Sequence, residues 1–280
     1  MSGRVNDLNM MNKIQNIKAR LHGLTAAIIL GLGAGSSIQA LDFNEGEHVV
    51  FIGNALAERM QHHGWLESYI QGTMAEKELV FRNHGFGGDK VNNRPRNNGF
   101  PSADAYLEIS KADVILAFWG YNESFDNSPD AYMADLAKWV DETKEKKYNG
   151  KSAPRIVLLS PISHENLGKA NLPDGAANNE RLSKYTEVTR KVANEKGVDF
   201  VDLFSLSSRL YEKSRKPLTV NGIHLTSEGN KQLAQGIYKN LFGKTPRVSR
   251  RKLTRIQDAV LNKNWHWYNR YRATDGNDVW

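Results

Sequence analysis

No cysteine occurs among the 280 residues of the chain. That excludes disulfides, thiolate metal sites and a cysteine nucleophile, and it leaves the redox compartment open. Beyond residue 40 there is also no apolar run near the roughly 20 residues that span a bilayer, so no membrane span is expected in the mature chain. No internal repeat is visible. His62, His63, His164 and His266 lack any spacing that would make a metal site, and neither a metal nor another cofactor is expected. With 40% apolar residues, the chain has enough hydrophobic material to bury a core, and wholesale disorder is not expected. The length suits one large domain with a leader and a tail.

Residues 1–40 read as an export signal. Lys13, Lys18 and Arg20 form a basic stretch, an apolar run follows from Leu24 to about Gly35, and Ile38-Gln39-Ala40 ends on a small residue suited to signal peptidase. The segment is long from Met1, so Met10 or Met11 is an alternative start. An uncleaved anchor is the competing reading, against which the apolar run is short. The expected location is therefore periplasmic or secreted. The formal charge of +7 is uneven: residues 1–40 carry +3, residues 244–280 carry +6, and the body 41–243 carries −2. A mildly acidic body argues against a nucleic-acid channel across the domain, so no nucleic acid is expected as a partner; the basic tail reads first as a solvated basic helix and, as the alternative, as a segment that docks on an acidic or protein partner.

From Glu47 onward, short β-branched runs alternate with amphipathic stretches. Strands are expected at 48–52, 78–81, 112–118, 155–159 and 198–203. Helices are expected through Leu56, Met60, Leu66 and Ile70, then over 134–140, 180–193 and 227–241. This alternation implies βαβ crossovers and a five-stranded parallel sheet covered on both faces, a three-layer α/β/α fold of flavodoxin-like type. Ligands in such sheets bind beyond the carboxyl ends of the strands. Two long loops, His84 to about Ser102 and Ser160 to about Asn178, would flank that edge.

Four short blocks fall on the same edge. They are Gly53-Asn54-Ala55 after the first strand, Asn83-His84-Gly85-Phe86-Gly87-Gly88-Asp89 after the second, Gly120-Tyr121-Asn122-Glu123 after the third, and Asn221-Gly222-Ile223-His224-Leu225-Thr226 before the last body helix. In this order they resemble the site blocks of the SGNH (GDSL-type) hydrolase family. The resemblance spans roughly residues 46–242.

The resemblance implies a fold of that family and assigns roles. Gly88, through its backbone N–H, and Asn122, through its amide, stand at the oxyanion-hole positions, and His224 stands at the general base. Two positions depart from the pattern. Ala55 occupies the place of the nucleophilic serine, with Asn54 in place of the preceding acid, and Asn221 occupies the place of the aspartate that orients the histidine. Alanine has no hydroxyl for acyl transfer. Asp89, Tyr121, Glu123 and Trp119 are candidate ligand contacts beside Asn54. Ser124 and the Ser163-His164-Glu165 run are possible substitutes, although loop capping is the simpler role for each.

Two functions remain open at this point. One is an unconventional ester hydrolase, plausibly on acylated carbohydrate, with His224 activating water. The other is a non-catalytic carbohydrate-binding or protein-interaction module. Residues 244–280 read as a basic helix from Arg250 to about Leu261, followed by Asn264-Trp265-His266-Trp267-Tyr268-Asn269-Arg270-Tyr271-Arg272. These aromatics either stack on sugar rings or fasten the tail to the body, and docking is favoured.

Overall fold

The computed structural model describes residues 40–96 and 99–272. The expected leader, Ala40 excepted, and residues 273–280 lie outside the described residues. Among the described residues no helix is long and apolar enough to cross a membrane.

Five strands, β1 (His48–Gly53), β2 (Val80–Asn83), β3 (Val114–Phe118), β4 (Arg155–Leu159) and β5 (Asp199–Val201), form one parallel sheet in the order β2-β1-β3-β4-β5. This is the flavodoxin-like order, and all four pairings are parallel, as the strand–helix alternation implies. Side chains alternate between the two faces with the period of a strand. Val49, Phe51, Val114, Leu116, Phe118, Val157 and Leu159 face one core. Val50, Ile52, Ile115, Ala117, Ile156 and Leu158 face the other. Every residue of β3 is buried, which is why that strand reads as a continuous apolar run.

Eight helices complete the described chain: α1 (Ala55–Met60), α2 (Trp65–Thr73), α3 (Ala103–Ile109), α4 (Pro129–Lys144), α5 (Ala176–Lys196), α6 (Leu203–Lys213), α7 (Ser227–Phe242) and α8 (Arg250–Arg272). Residues of α1, α2, α6 and α7 pack into the first core, and residues of α3, α4 and α5 into the second.

Several boundaries differ from the sequence expectation. The helix read through residues 56–70 is two helices, because Gly64 adopts a left-handed φ of 63° and starts a new one. β2 begins at Val80 rather than residue 78, since Glu78 still sits in a left-handed turn at φ 50°. The fifth strand stops at Val201, where the Asp202 carboxylate takes the Ser205 N–H at 2.8 Å and caps α6. Helices α3 and α6 were not anticipated. The α5 helix starts at Ala176, so the second long loop is slightly shorter than expected.

The tail departs furthest. It is one helix to Arg272 instead of a helix ending near Leu261. Val260, Asn264 and Trp267 recur at helical spacing and meet the body. Val260 is buried, Asn264 Nδ2 donates to the Gln61 carbonyl at 2.9 Å, and Trp267 Nε1 donates to the Asn83 carbonyl at 2.7 Å. Lys263 reaches the Glu67 carboxylate at 2.8 Å. This packing covers the outer side of edge strand β2, which an open sheet would otherwise leave exposed.

Trp267 also stacks on His84, with ring centroids 5.6 Å apart. Burial, helped by the Arg82 charge, lowers the His84 pKa from 6.5 to about 3. The unfolded chain therefore binds a proton that the folded chain refuses between those values, and stability is lost as pH falls through this window. The loss approaches ~1.4 kcal/mol per pH unit from this one group. A His84→Asn variant should unfold with a shallower acid limb between about pH 6 and 4, read by urea titration at each pH; an unchanged slope would reject the assignment.

Candidate functional site

Two glycines bring the loops of the site together. At Gly53, φ is 128°, and a β carbon would lie 2.2 Å from the Phe118 carbonyl oxygen. At Gly85, a β carbon would lie 2.4 Å from the Glu58 nitrogen. Only glycine permits the end of β1 to lean on the end of β3, and the turn after β2 to lean on α1. Backbone bonds then fix the approach: Asn54 N–H donates to the Phe118 carbonyl at 3.3 Å, and Phe86 N–H to the Gly53 carbonyl at 2.9 Å. The Asn54 side chain caps α1 by accepting the Leu56 N–H at 3.1 Å, which leaves Ala55 as the first helical residue.

Ala55 and His224 line one pocket, together with Asn54, Trp119 and Tyr121. The cavity itself holds about 40 Å³, room for one small group such as a short acyl chain rather than for a whole sugar ligand. Arg59, Ser160, Ile162 and Asn230 also line it and were not singled out in the sequence. Arg59 could have been found, because it stands four residues after Ala55 and so shares its helix face. Gly88, Asp89, Asn122, Glu123 and Asn221 stand outside the lining.

Residues 51–232 match the GDSL-like lipase/acylhydrolase family. The chain belongs to this family. No curated protein matches it significantly. Among solved structures it is similar to a catalytic mutant of an acetylxylan esterase from Geobacillus stearothermophilus, at 19% identity and a TM-score of 0.58, over 75% of this chain and 100% of that one. It is also similar to a gut microbial diltiazem-metabolizing enzyme, at 18% identity and TM-score 0.59, over 74% of this chain and 49% of that one. An α/β hydrolase from the metagenome of Lake Arreo, Spain, gives 19% identity and TM-score 0.55, over 71% of this chain and 96% of that one. At such identities the likeness establishes the fold.

Within this GDSL-like domain the histidine loop is held from two sides. The Glu165 carboxylate accepts the Leu218 N–H at 3.0 Å, the Thr219 N–H at 2.7 Å and the Thr219 hydroxyl at 2.6 Å. Asn221 Oδ1 accepts the main-chain N–H of His224 at 3.0 Å and of Ile223 at 3.3 Å. Main-chain N–H groups can only donate, so they fix which end of the Asn221 amide is oxygen. Its Nδ2 then lies 3.0 Å from His224 Nδ1, closer than Oδ1 at 3.2 Å. The amide therefore offers Nδ1 both a donor and, slightly farther off, an acceptor; donation from the nearer NH₂ goes with a ring proton on Nε2. Burial, followed by the Arg59 charge and against the pull of Glu58, lowers the His224 pKa and keeps the ring neutral.

The other candidate groups hold loops. Asp89 takes both Arg96 terminal nitrogens at 2.8 Å, closing the loop after β2. Glu123 accepts the Val91 and Gly120 N–H groups, each at 2.9 Å. Asn122 Nδ2 donates to the Asp89 carbonyl at 2.8 Å, which ties the third block to the second. The Gly88 N–H, by contrast, makes no hydrogen bond among the described residues, and nothing lies within 4 Å of its β-carbon position.

The possible serine substitutes are engaged elsewhere. Ser124 Oγ donates to the Tyr121 carbonyl at 2.7 Å, and Ser163 Oγ lies 2.9 Å from Ser207 Oγ. Ser160 does line the pocket, but its hydroxyl accepts the Leu203 N–H at 2.9 Å at the start of α6. His164 Nδ1 meets Asn178 Nδ2 at 2.9 Å. Among the described residues no group of three or more His, Asp or Glu side chains could hold a metal.

An Asn221→Asp variant should reverse the ring proton, because a carboxylate cannot donate to Nδ1. Nitrogen-15 NMR of His224 should show the proton moving to Nδ1 and the pKa rising by about one unit or more. A ring already protonated at Nδ1 in the unaltered protein would reject the assignment.

Proposed function

We propose that this protein is an exported family member whose pocket binds the acyl group of an esterified carbohydrate without cleaving it by the serine route. In this reading the triad is reduced to its histidine. The carrying observation is the 3.0 Å contact from Asn221 Nδ2 to His224 Nδ1. Read as donation from the amide to Nδ1, it supports an Nε2–H that can donate to an ester oxygen and lacks the lone pair a general base needs. The same arrangement disfavours the rival scheme in which His224 activates water.

Magnitudes support binding over turnover. Loss of the nucleophile in a comparable triad costs on the order of 10⁶ in rate, and an amide in the aspartate position about 10⁴.

Two observations favour a sugar. One is the fold likeness to an acetylxylan esterase. The other is an aromatic rim on the loop after β3, where Tyr121 and Phe125 meet edge to face at 5.5 Å and Arg181 lies 4.8 Å over the Phe125 ring. Phe125 stands outside the pocket lining and is 59% exposed, so a sugar that extends beyond the pocket past Tyr121 has an aromatic surface to meet there. Export rests on the leader pattern of residues 1–40. Trp265, 64% exposed on α8, is the place for a protein partner of the tail.

Acetylated xylo-oligosaccharides should bind in calorimetry more tightly than their deacetylated forms. With p-nitrophenyl acetate, the unaltered protein and His224→Ala should give the same background rate. Ala55→Ser combined with Asn221→Asp should raise that rate at least about a hundredfold. Hydrolysis by the unaltered protein well above the His224→Ala rate would overturn the reading.

A further inference from the structure

The wall of the pocket carries one guanidinium and no carboxylate. Arg59 lines it beside Ala55 and His224 and is exposed on α1, and its side chain makes no hydrogen bond or salt bridge among the described residues. The acid next to it in sequence, Glu58, accepts the Gly87 N–H at 2.6 Å and holds the second block. The neighbouring imidazoles supply no negative charge: His224 and His63 both have lowered pKa values, for which burial is the first cause and the Arg59 charge the second. Nor does the background field explain a cation here, since the body 41–243 carries −2 overall. Among the described residues the Arg59 guanidinium is thus the one charged group in the pocket wall, with the Glu58 carboxylate near enough to act on His224 but bonded to the second block.

An arginine left unpaired at the mouth of a mostly apolar pocket is a recognition element for an anion. The planar fork of a guanidinium matches a carboxylate in two parallel hydrogen bonds. A single guanidinium balances a single negative charge, which fits a carboxylate better than a doubly charged phosphate. The pocket interior already has its occupant in the proposed reading, the acyl group under His224 Nε2. The exposed position of Arg59 places the charged group outside that, on the part of the ligand nearest the mouth.

We infer that Arg59 makes the pocket selective for an acidic acyl-carbohydrate, one that carries a carboxylate such as a uronic acid next to the esterified sugar. This rests on the proposed binding of an acylated carbohydrate and narrows its ligand class. Charge-assisted hydrogen bonds at a partly desolvated rim are worth a preference of about tenfold or more. The preference weakens with salt, because the rim is exposed to solvent.

The test uses the whole exported chain and two probes, acetylated xylo-oligosaccharides of equal length with and without one glucuronic acid side group. Calorimetry at low and high salt should give the acidic probe about tenfold or greater advantage at low salt, shrinking as salt rises. Arg59→Met should collapse the ratio towards one, and Arg59→Lys should keep part of it while losing the paired geometry. Equal affinities for the two probes, or a preference that survives Arg59→Met, would overturn the inference and leave acyl-carbohydrate binding standing. Failure of both probes to bind the unaltered protein would overturn both readings together.

Discussion

The carboxyl edge of the sheet is organised by a contact that excludes a side chain. A β carbon on Gly53 would lie 2.2 Å from the Phe118 carbonyl oxygen, so the first block can cross the end of β3 only with glycine there. That crossing sets Asn54 to cap α1 and sets Ala55 at its first turn, facing the histidine loop. Gly85 does the same on the other side, where the second block leans on α1. A change at either glycine would push back the loops that make the pocket, since the obstructing atoms at both places are backbone or lie next to it.

Around this frame the carboxylates near the site serve architecture. Asp89 closes the loop after β2 through Arg96, Glu123 gathers N–H groups from two loops, and Glu165 carries the strand-like turn that presents His224. Each is buried, and a buried carboxylate is tolerated because it is paired or accepts several N–H bonds. Such groups rigidify the site. The pocket is in consequence a shaped apolar space with a neutral histidine at its side and a cation at its mouth.

Much of this was legible in the sequence. β4 was read residue for residue, because Arg155-Ile156-Val157-Leu158-Leu159 is bounded by Pro154 and Ser160 and has no competing helical period. The four blocks could be placed because each directly follows a strand or opens a helix. What escaped was set by tertiary contact. The break at Gly64 leaves room for Val260 of α8, whose Cγ1 would lie 2.8 Å from a β carbon there, and nothing near residue 64 announces that. Trp265-His266-Trp267-Tyr268 reads as an aromatic cluster, yet only the Val260, Asn264 and Trp267 stripe tells which ring turns inward. Arg59 looks like an ordinary polar helix residue until the histidine loop is placed beside it.

The two departures from the family pattern are compatible with an intact scaffold for a physical reason. Asn221 keeps the oxygen that takes the Ile223 and His224 N–H groups, which is the part of an aspartate's role that shapes the loop. What an amide cannot supply is the negative charge that would hold a proton on Nδ1 and stabilise an imidazolium. Ala55 likewise keeps the first helical position, where no side-chain hydrogen bond is required, and loses only the hydroxyl. Each change removes chemistry while leaving a main-chain hydrogen bond or a packing contact in place. The walls of the pocket and the fold of the histidine loop therefore depend on main-chain bonds and packing that an alanine and an asparagine at these positions can still supply.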